Sequence, residues 1–240
     1  MPVAMKVLGI IPARGGSKGV ARKNIKLLCG KPLLAYTAES ALAASALSKV
    51  ILSTEDEEIA MIGRELGLCV PFMRPAELAQ DATPTMPVVL HAIEALENQG
   101  ESFDAVCLLQ PTNPLRRPEH IDACIELLEQ TNSDSVVSVL PVPDTFNPMW
   151  TFWKNEDGTI KLTSGEKEPT VRRQELPKAF YRDGSVYVTR STVLRDQGSL
   201  YGRKIQSFEM EAKFAVNIDT PSDWEVAERM IGRNDLGRPQ

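Results

Sequence analysis

Only four cysteines occur in the chain, Cys29, Cys69, Cys107 and Cys124, and no two of them form a CxxC pair. That spacing argues against a zinc site and a disulfide framework. Cys107 and Cys124 fall in apolar runs and are expected as buried thiols. Histidine is scarcer still, with His91 and His120 alone, and neither has a Ser or Cys motif to match. A nucleophile–base triad is therefore not expected, and both are read as structural. There is no surplus of positive charge: the formal net charge is −5, which argues against a nucleic-acid partner. No apolar run is long enough to cross a membrane, and no signal peptide is read ahead of the first strand. A cytoplasmic location with no membrane partner is expected. Two nucleotide fingerprints are missing as well, the GxxxxGK[ST] of a P-loop and a GxGxxG that opens a helix. Their absence disfavours a P-loop NTPase and a dinucleotide dehydrogenase.

What is present is concentrated at one junction. Lys6–Ala13 (KVLGIIPA) reads as a buried strand, and RGGSKGVARKN follows from Arg14 to Asn24. Gly15, Gly16 and Gly19 let the backbone turn tightly and bring its N–H groups close to a ligand. Arg14, Lys18, Arg22 and Lys23 add positive charge, with Ser17 and Asn24 as neutral donors. A basic, glycine-bearing loop at the carboxyl end of a first strand suits a polyphosphate, whereas a solvated basic turn is the bland alternative.

The rest of the first half alternates strands and helices, which predicts an α/β/α three-layer sandwich around a mostly parallel, Rossmann-like sheet. Helices are expected after Pro32, over 56–66 with Gly67 as the stop, over 87–97 and over 118–130. Strands are expected over 49–54, 70–72, 105–109 and 135–140. The pattern breaks over 141–178, where prolines, the aromatics Phe146, Trp150, Phe152 and Trp153, and a turn at Asp157–Gly158 suggest a β-rich arm. Such an apolar arm either meets a partner or folds back as a lid. The chain returns to the sheet at 185–188. A less regular stretch leads to 215–218, a closing helix over 221–231 is capped by Thr220, and 232–240 reads as a disordered tail. With 42% hydrophobic residues the chain is expected to form one domain with the arm as its excursion.

The wording IPARGGSKGVARKN resembles the acylneuraminate cytidylyltransferases, the CMP-sialic acid synthetase family. The resemblance continues in STED (53–56), RPAELAQD (74–81), LQPTNPLR (109–116), RQELPKAFYRDGSVYV (173–188) and NIDTPSDW (217–224), in that order along the chain. It implies a nucleotidyltransferase that joins CTP to a nine-carbon sugar acid, works as a homodimer through the 141–178 arm, and uses Mg2+ or Mn2+. The same reaction with GTP or with the eight-carbon acid Kdo is the nearest alternative, and a non-catalytic nucleotide-binding module the next.

Nucleotidyl transfer must neutralise a triphosphate, align two anions and stabilise the leaving group. Arg14 and Lys23 are the choices for the triphosphate, beside the amides of Gly15, Gly16 and Ser17; in the family the matching Arg and Lys do this work, and Asn24 matches a nucleotide contact. Arg74, Thr83 and Thr85 are read as base contacts, the alternatives being an Arg74–Glu77 ion pair and helix capping by the threonines. Gln110 stands at a strand end where open α/β sheets bind ligands, and the resemblance gives it and Arg116 to the sugar. Arg173 is expected to meet the sugar carboxylate or the phosphates. Tyr187 matches a residue that lines the sugar pocket, its alternative being a core tyrosine.

Relatives often read D-I-D-T where this chain reads Asn217-Ile218-Asp219-Thr220. Residues two apart on a strand share a face, so Asp219 and Asn217 are the metal candidates, with one amide in place of a carboxylate. Asp223 is expected in the first turn of the closing helix. Sialate-specific relatives tend to read P-N-G-A where 182–185 read RDGS, and often carry a basic residue near Trp150. With Asp183 in place of an amide, the resemblance implies a nonulosonic acid of different polarity, legionaminate-like or pseudaminate-like.

Overall fold

A computed structural model describes residues 5–235. Strand β1 (Val7–Pro12) leads through the basic loop to a small hairpin of β2 (Leu27–Leu28) and β3 (Lys31–Pro32), then helix α1 (Leu33–Ala43). Next come β4 (Lys49–Ser53), α2 (Glu57–Glu65), α3 (Thr85–Glu97), β5 (Ala105–Leu108), α4 (Pro118–Thr131) and β6 (Ser135–Pro141). The region after β6 carries a second hairpin, β7 (Phe152–Lys154) and β8 (Ile160–Leu162). The chain closes with β9 (Phe180–Arg190), α5 (Ser191–Gln197), β10 (Ile205–Glu209) and α6 (Pro221–Asp235).

Six strands form the main sheet in the order β10-β6-β9-β5-β1-β4. β1 runs parallel to β4 and β5, and β10 parallel to β6, whereas β9 is antiparallel to both its neighbours. Alternation along β1 sends Val7 and Ile11 to one face and Leu8 and Ile10 to the other, and all four are fully buried. On the first face they pack under α1, α2 and α4, the last through Ile121, Cys124, Ile125 and Leu128, an i, i+3, i+4, i+7 stripe. On the second face α3 and α5 cover the sheet through Val89, Ala92, Ile93, Leu96 and Leu194. Each buried Val, Leu or Ile among them contributes about 1.5–3 kcal/mol. The three-layer, mostly parallel architecture is the expected one.

Several expectations change. No strand forms over 70–72; an isolated bridge, Ile51 to Cys69, stands just before the segment. α3 starts at Thr85, two residues earlier than the sequence suggests. β9 extends well beyond Ser185–Val188, and the stretch read as irregular holds α5 and β10. Residues 232–235, expected in the tail, continue α6, while 236–240 lie outside the described residues. Thr220 does cap α6: its hydroxyl accepts from Asp223 N (3.3 Å), and Asp223 accepts from Thr220 N (2.8 Å). Among the described residues no helix is long and apolar enough to cross a membrane.

Candidate active site

The basic loop leaves the carboxyl end of β1, between the ends of β4 and β5, where open α/β sheets collect ligands. Two acidic residues after β4 hold its shape. Glu55 accepts the Gly15 N–H (2.7 Å) and pairs with Arg74 (2.8 Å). Arg74 is 5% exposed, and its own N–H donates to the Thr54 carbonyl (2.8 Å). The base contact expected of Arg74 gives way to the alternative, an ion pair, which is buried and made with Glu55 in place of Glu77. Asp56 grips Arg22, which also meets Glu58, while Asp56 caps α2 by accepting from Ile59 N (3.0 Å). The Arg22 guanidinium holds the Asp56 carboxyl below its ordinary value. Arg22 adopts φ 51°, so this pair secures a left-handed residue in the middle of the loop.

Arg14 and Lys18 converge on one carboxylate, Asp81, at 2.8 and 2.9 Å. The RPAELAQD segment is thereby drawn against the loop. Asn24 ties the loop to itself by donating to the Arg14 carbonyl (2.9 Å). Gly16 is exposed, and a Cβ added there would meet open space. Thr83 donates its hydroxyl to the Glu77 carbonyl (3.1 Å), and Thr85 opens α3 without a side-chain cap.

Lys23 reaches across the sheet end to the 217–219 segment. Its Nζ donates to the Ile218 carbonyl (2.8 Å) and to Asp219 Oδ1 (3.2 Å). Asp219 Oδ2 accepts from the Asn217 amide (2.6 Å). Asp219 and Asn217 also line a cavity of about 450 Å³ with Gln110, Tyr181, Arg182, Asp183, Gly184 and Tyr187. The loop and the cavity therefore share one wall, and Lys23 stands at it.

A buried polar frame supports that cavity. Asp183, 6% exposed, accepts from the hydroxyls of Ser138 and Ser185 and from Ser185 N, and Asn113 donates to the same Ser185 hydroxyl. Arg116 lies behind the lining, not in it. Its guanidinium, 4% exposed, donates to the Gln110 carbonyl (3.1 and 3.2 Å), the Ser185 carbonyl and Thr37 Oγ1 (2.6 Å). Burial pushes its pKa down to about 10, so it stays charged at neutral pH. The direct sugar contact expected of Arg116 is replaced by a strap that fixes the Gln110 backbone. Tyr187 is 3% exposed and packs edge-on against Tyr201, yet it still lines the cavity. It is thus a core tyrosine with one edge on the cavity.

Arg173 is not brought to Arg14 and Lys23 within one chain. It sits after the second hairpin, paired with Asp144, in a separate groove lined by Pro141, Val142, Pro143, Thr145 and Trp150. His91 stacks edge-on against Phe72 (4.8 Å), and His120 accepts the Arg117 N–H (3.2 Å), both structural as expected. Sequence reasoning missed Glu55 and Asn113, although both stand inside quoted motifs. It also gave no role to Arg182, which the cavity lining includes.

A divalent ion can be tested against the donors. Among the described residues no cluster of three or more His, Cys, Asp or Glu could hold a metal. Asp219 supplies one carboxylate, and Asn217 turns its Oδ1 towards Gly184 and the cavity. One or two protein oxygens, completed by substrate oxygens and water, suit Mg2+. With Lys23 and Asn217 on the two Asp219 oxygens, the donor set fits such an ion once one of these contacts is released.

Comparison with known proteins identifies the family. A cytidylyltransferase family model matches residues 8–236. The CMP-N,N'-diacetyllegionaminic acid synthase of Legionella pneumophila is 32% identical, over 96% of this chain and 98% of its own. The pseudaminic acid cytidylyltransferase of Campylobacter jejuni is 33% identical, over 93% and 95%. A solved CMP:2-keto-3-deoxy-manno-octonic acid synthetase in complex with CTP shares the fold, with a TM-score of 0.72 at 18% identity over 95% of this chain and 99% of that one. On the family match and these relatives, the chain belongs to the cytidylyltransferase family.

Proposed function

We propose that this enzyme transfers the cytidylyl group of CTP to the anomeric hydroxyl of a nonulosonic acid. The observation that carries the reading is the shared wall: a cationic loop and a polar cavity meet at Lys23 and Asp219. The loop amides, Arg14 and Lys18 take the triphosphate, with Asp81 giving up its two cations to it. The cavity takes the sugar acid, oriented by Gln110 and Tyr187. Thr83 and Thr85, just beyond the segment drawn in by Asp81, face the base, and Arg74, buried on Glu55, fixes that segment. The anomeric oxygen attacks the α-phosphorus, the bond from that phosphorus to the bridging oxygen breaks, and pyrophosphate leaves. The hydroxyl proton passes to solvent. Lys23, which reaches from the loop to Asp219 in the cavity wall, stabilises the charge that develops. A divalent ion held by Asp219 and Asn217 would supply further charge neutralisation.

The names of the relatives favour legionaminate-like or pseudaminate-like acids as substrate. A second copy of the chain completes the site in this reading, with Arg173 of each arm serving the neighbour. Phe146 (66% exposed), Trp153 (60%) and Val171 (90%) support it, because an arm this apolar gains by being covered. The test is Mg2+-dependent pyrophosphate release across CTP, GTP, UTP and ATP, each with nine-carbon acids and with Kdo. Release with CTP and a nine-carbon acid is expected. Release with GTP alone, or with Kdo alone, overturns the substrate assignment; no release with any pair overturns the enzyme reading.

A further inference from the structure

Arg182 differs from the other cations around the site. Arg14 and Lys18 meet Asp81, Arg22 meets Asp56 and Glu58, Lys23 meets Asp219, Arg74 meets Glu55, and Arg173 meets Asp144. Arg182 meets no carboxylate at ion-pair distance among the described residues; its polar neighbours are the phenolic oxygens of Tyr187 and Tyr201. It is also the one cationic side chain in the wall of the cavity. The two acidic groups in that wall are already engaged, Asp183 by Ser138 and Ser185, Asp219 by Lys23 and Asn217. An anion entering the cavity therefore finds one open positive charge.

The backbone places that charge on a rigid element. β9 and β6 slip register between Val137 and Val139, and Gly184 takes φ +84° two residues beyond Arg182. Ser138, in the slipped stretch, donates to Asp183 and accepts from Val186 N (2.8 Å). A bulge re-aims side chains beside a site, and this one brings Tyr181, Arg182 and Asp183 all to the lining.

We propose that Arg182 binds the carboxylate of the sugar acid and thereby aims its anomeric hydroxyl at the loop. The inference rests on the reading of the site as one for a 2-keto sugar acid. In such an acid the carboxylate is bonded directly to the anomeric carbon. A planar guanidinium that fixes both carboxylate oxygens leaves the anomeric carbon little freedom to turn. Tyr187 and Tyr201 stand beside the guanidinium and limit its movement before substrate arrives.

The test separates the two substrates kinetically. Arg182→Met is expected to raise the KM for the sugar acid about 100-fold and to leave the KM for CTP within about twofold, as for a lost charge-assisted pair. Arg182→Lys recovers part of the loss. The carboxamide analogue of the acid adds a reading on the unaltered enzyme, which is expected to discriminate strongly against it, whereas Arg182→Met does not. An active Arg182→Met enzyme with an unchanged sugar KM overturns this inference and leaves the proposed function standing. So does an unaltered enzyme indifferent to the carboxamide, even if the variant fails to fold. No turnover of any nine-carbon acid by the unaltered enzyme overturns both.

Discussion

Gly19 lies so close to Asp219 that a Cβ built on it would stand 1.8 Å from the Asp219 carbonyl oxygen. The oxygen belongs to the backbone and cannot swing away, so any side chain at 19 must lift the loop off the 217–219 segment. Gly19→Ala is expected to cost roughly 1–3 kcal/mol and to raise the KM for CTP. Gly16→Ala is the control, since a Cβ there meets nothing within 4 Å. Denaturant unfolding should separate them, with the Gly16 variant as stable as the parent. Equal stability for the Gly19 variant would contradict the close packing.

Lys23 depends on the same contact, because its Nζ reaches Asp219 and the Ile218 carbonyl only while the loop is seated. Lys23→Ala should lower kcat by about 10²–10³, the cost of losing one donor to developing charge. The circular dichroism spectrum should stay unchanged. Near-normal turnover would remove Lys23 from the chemistry.

Asn217 donates its amide to Asp219, a contact that an Asp at 217 would turn into like-charge repulsion. Asn217→Asp is therefore expected to lower the melting temperature without metal and to regain stability when Mg2+ is added. The Mg2+ concentration for half-maximal rate should fall roughly tenfold, or about 1.4 kcal/mol for the added carboxylate. A melting temperature that ignores Mg2+ in both proteins would argue against the ion at this place.

The parallel half of the sheet was legible because buried strands and amphipathic helices alternate there with turn residues between them. β9 was legible only in part: its first residues, Phe180 to Asp183, are polar or exposed, and its bulge at Gly184 interrupts the alternation. β10 (IQSFE) buries no residue fully and so carries no strand pattern. The site shows the same division. The loop declared itself through composition, whereas Glu55 and Arg116 act through partners far away in sequence. A motif locates such residues without saying which way their side chains face.

Asp56 links the loop to α2 through both its pair with Arg22 and its cap on Ile59. Its folded carboxyl titrates below the ordinary value of 3.8, so its contribution is complete above that pH and is lost as pH falls through the lower folded value. Arg22 is 41% exposed, which screens the ion pair and leaves the cap as the larger share. Asp56→Ala should cost about 1–2 kcal/mol at neutral pH. The stability difference from the parent should shrink in strong acid. A difference that stays constant into strong acid would rule out this carboxylate as its source.

Arg173 offers the sharpest test of a site built from two chains. Within one chain it occupies its own groove beside Asp144 and Trp150, away from the cavity. If each arm serves the neighbour, Lys23→Ala and Arg173→Ala damage different parts of the same composite site. A mixed dimer then holds one doubly damaged site and one intact site. Random mixing of equal amounts makes half of the dimers mixed, so about one quarter of the parental activity should return although each variant alone is nearly inactive. An arm that folded over its own sheet would put both residues in one chain's site, and mixing would restore nothing. Replacing Phe146 and Trp153 by Ser, both largely exposed, should shift sedimentation towards the monomer and abolish the rescue. Rescue that survives in a monomeric protein would exclude the shared site.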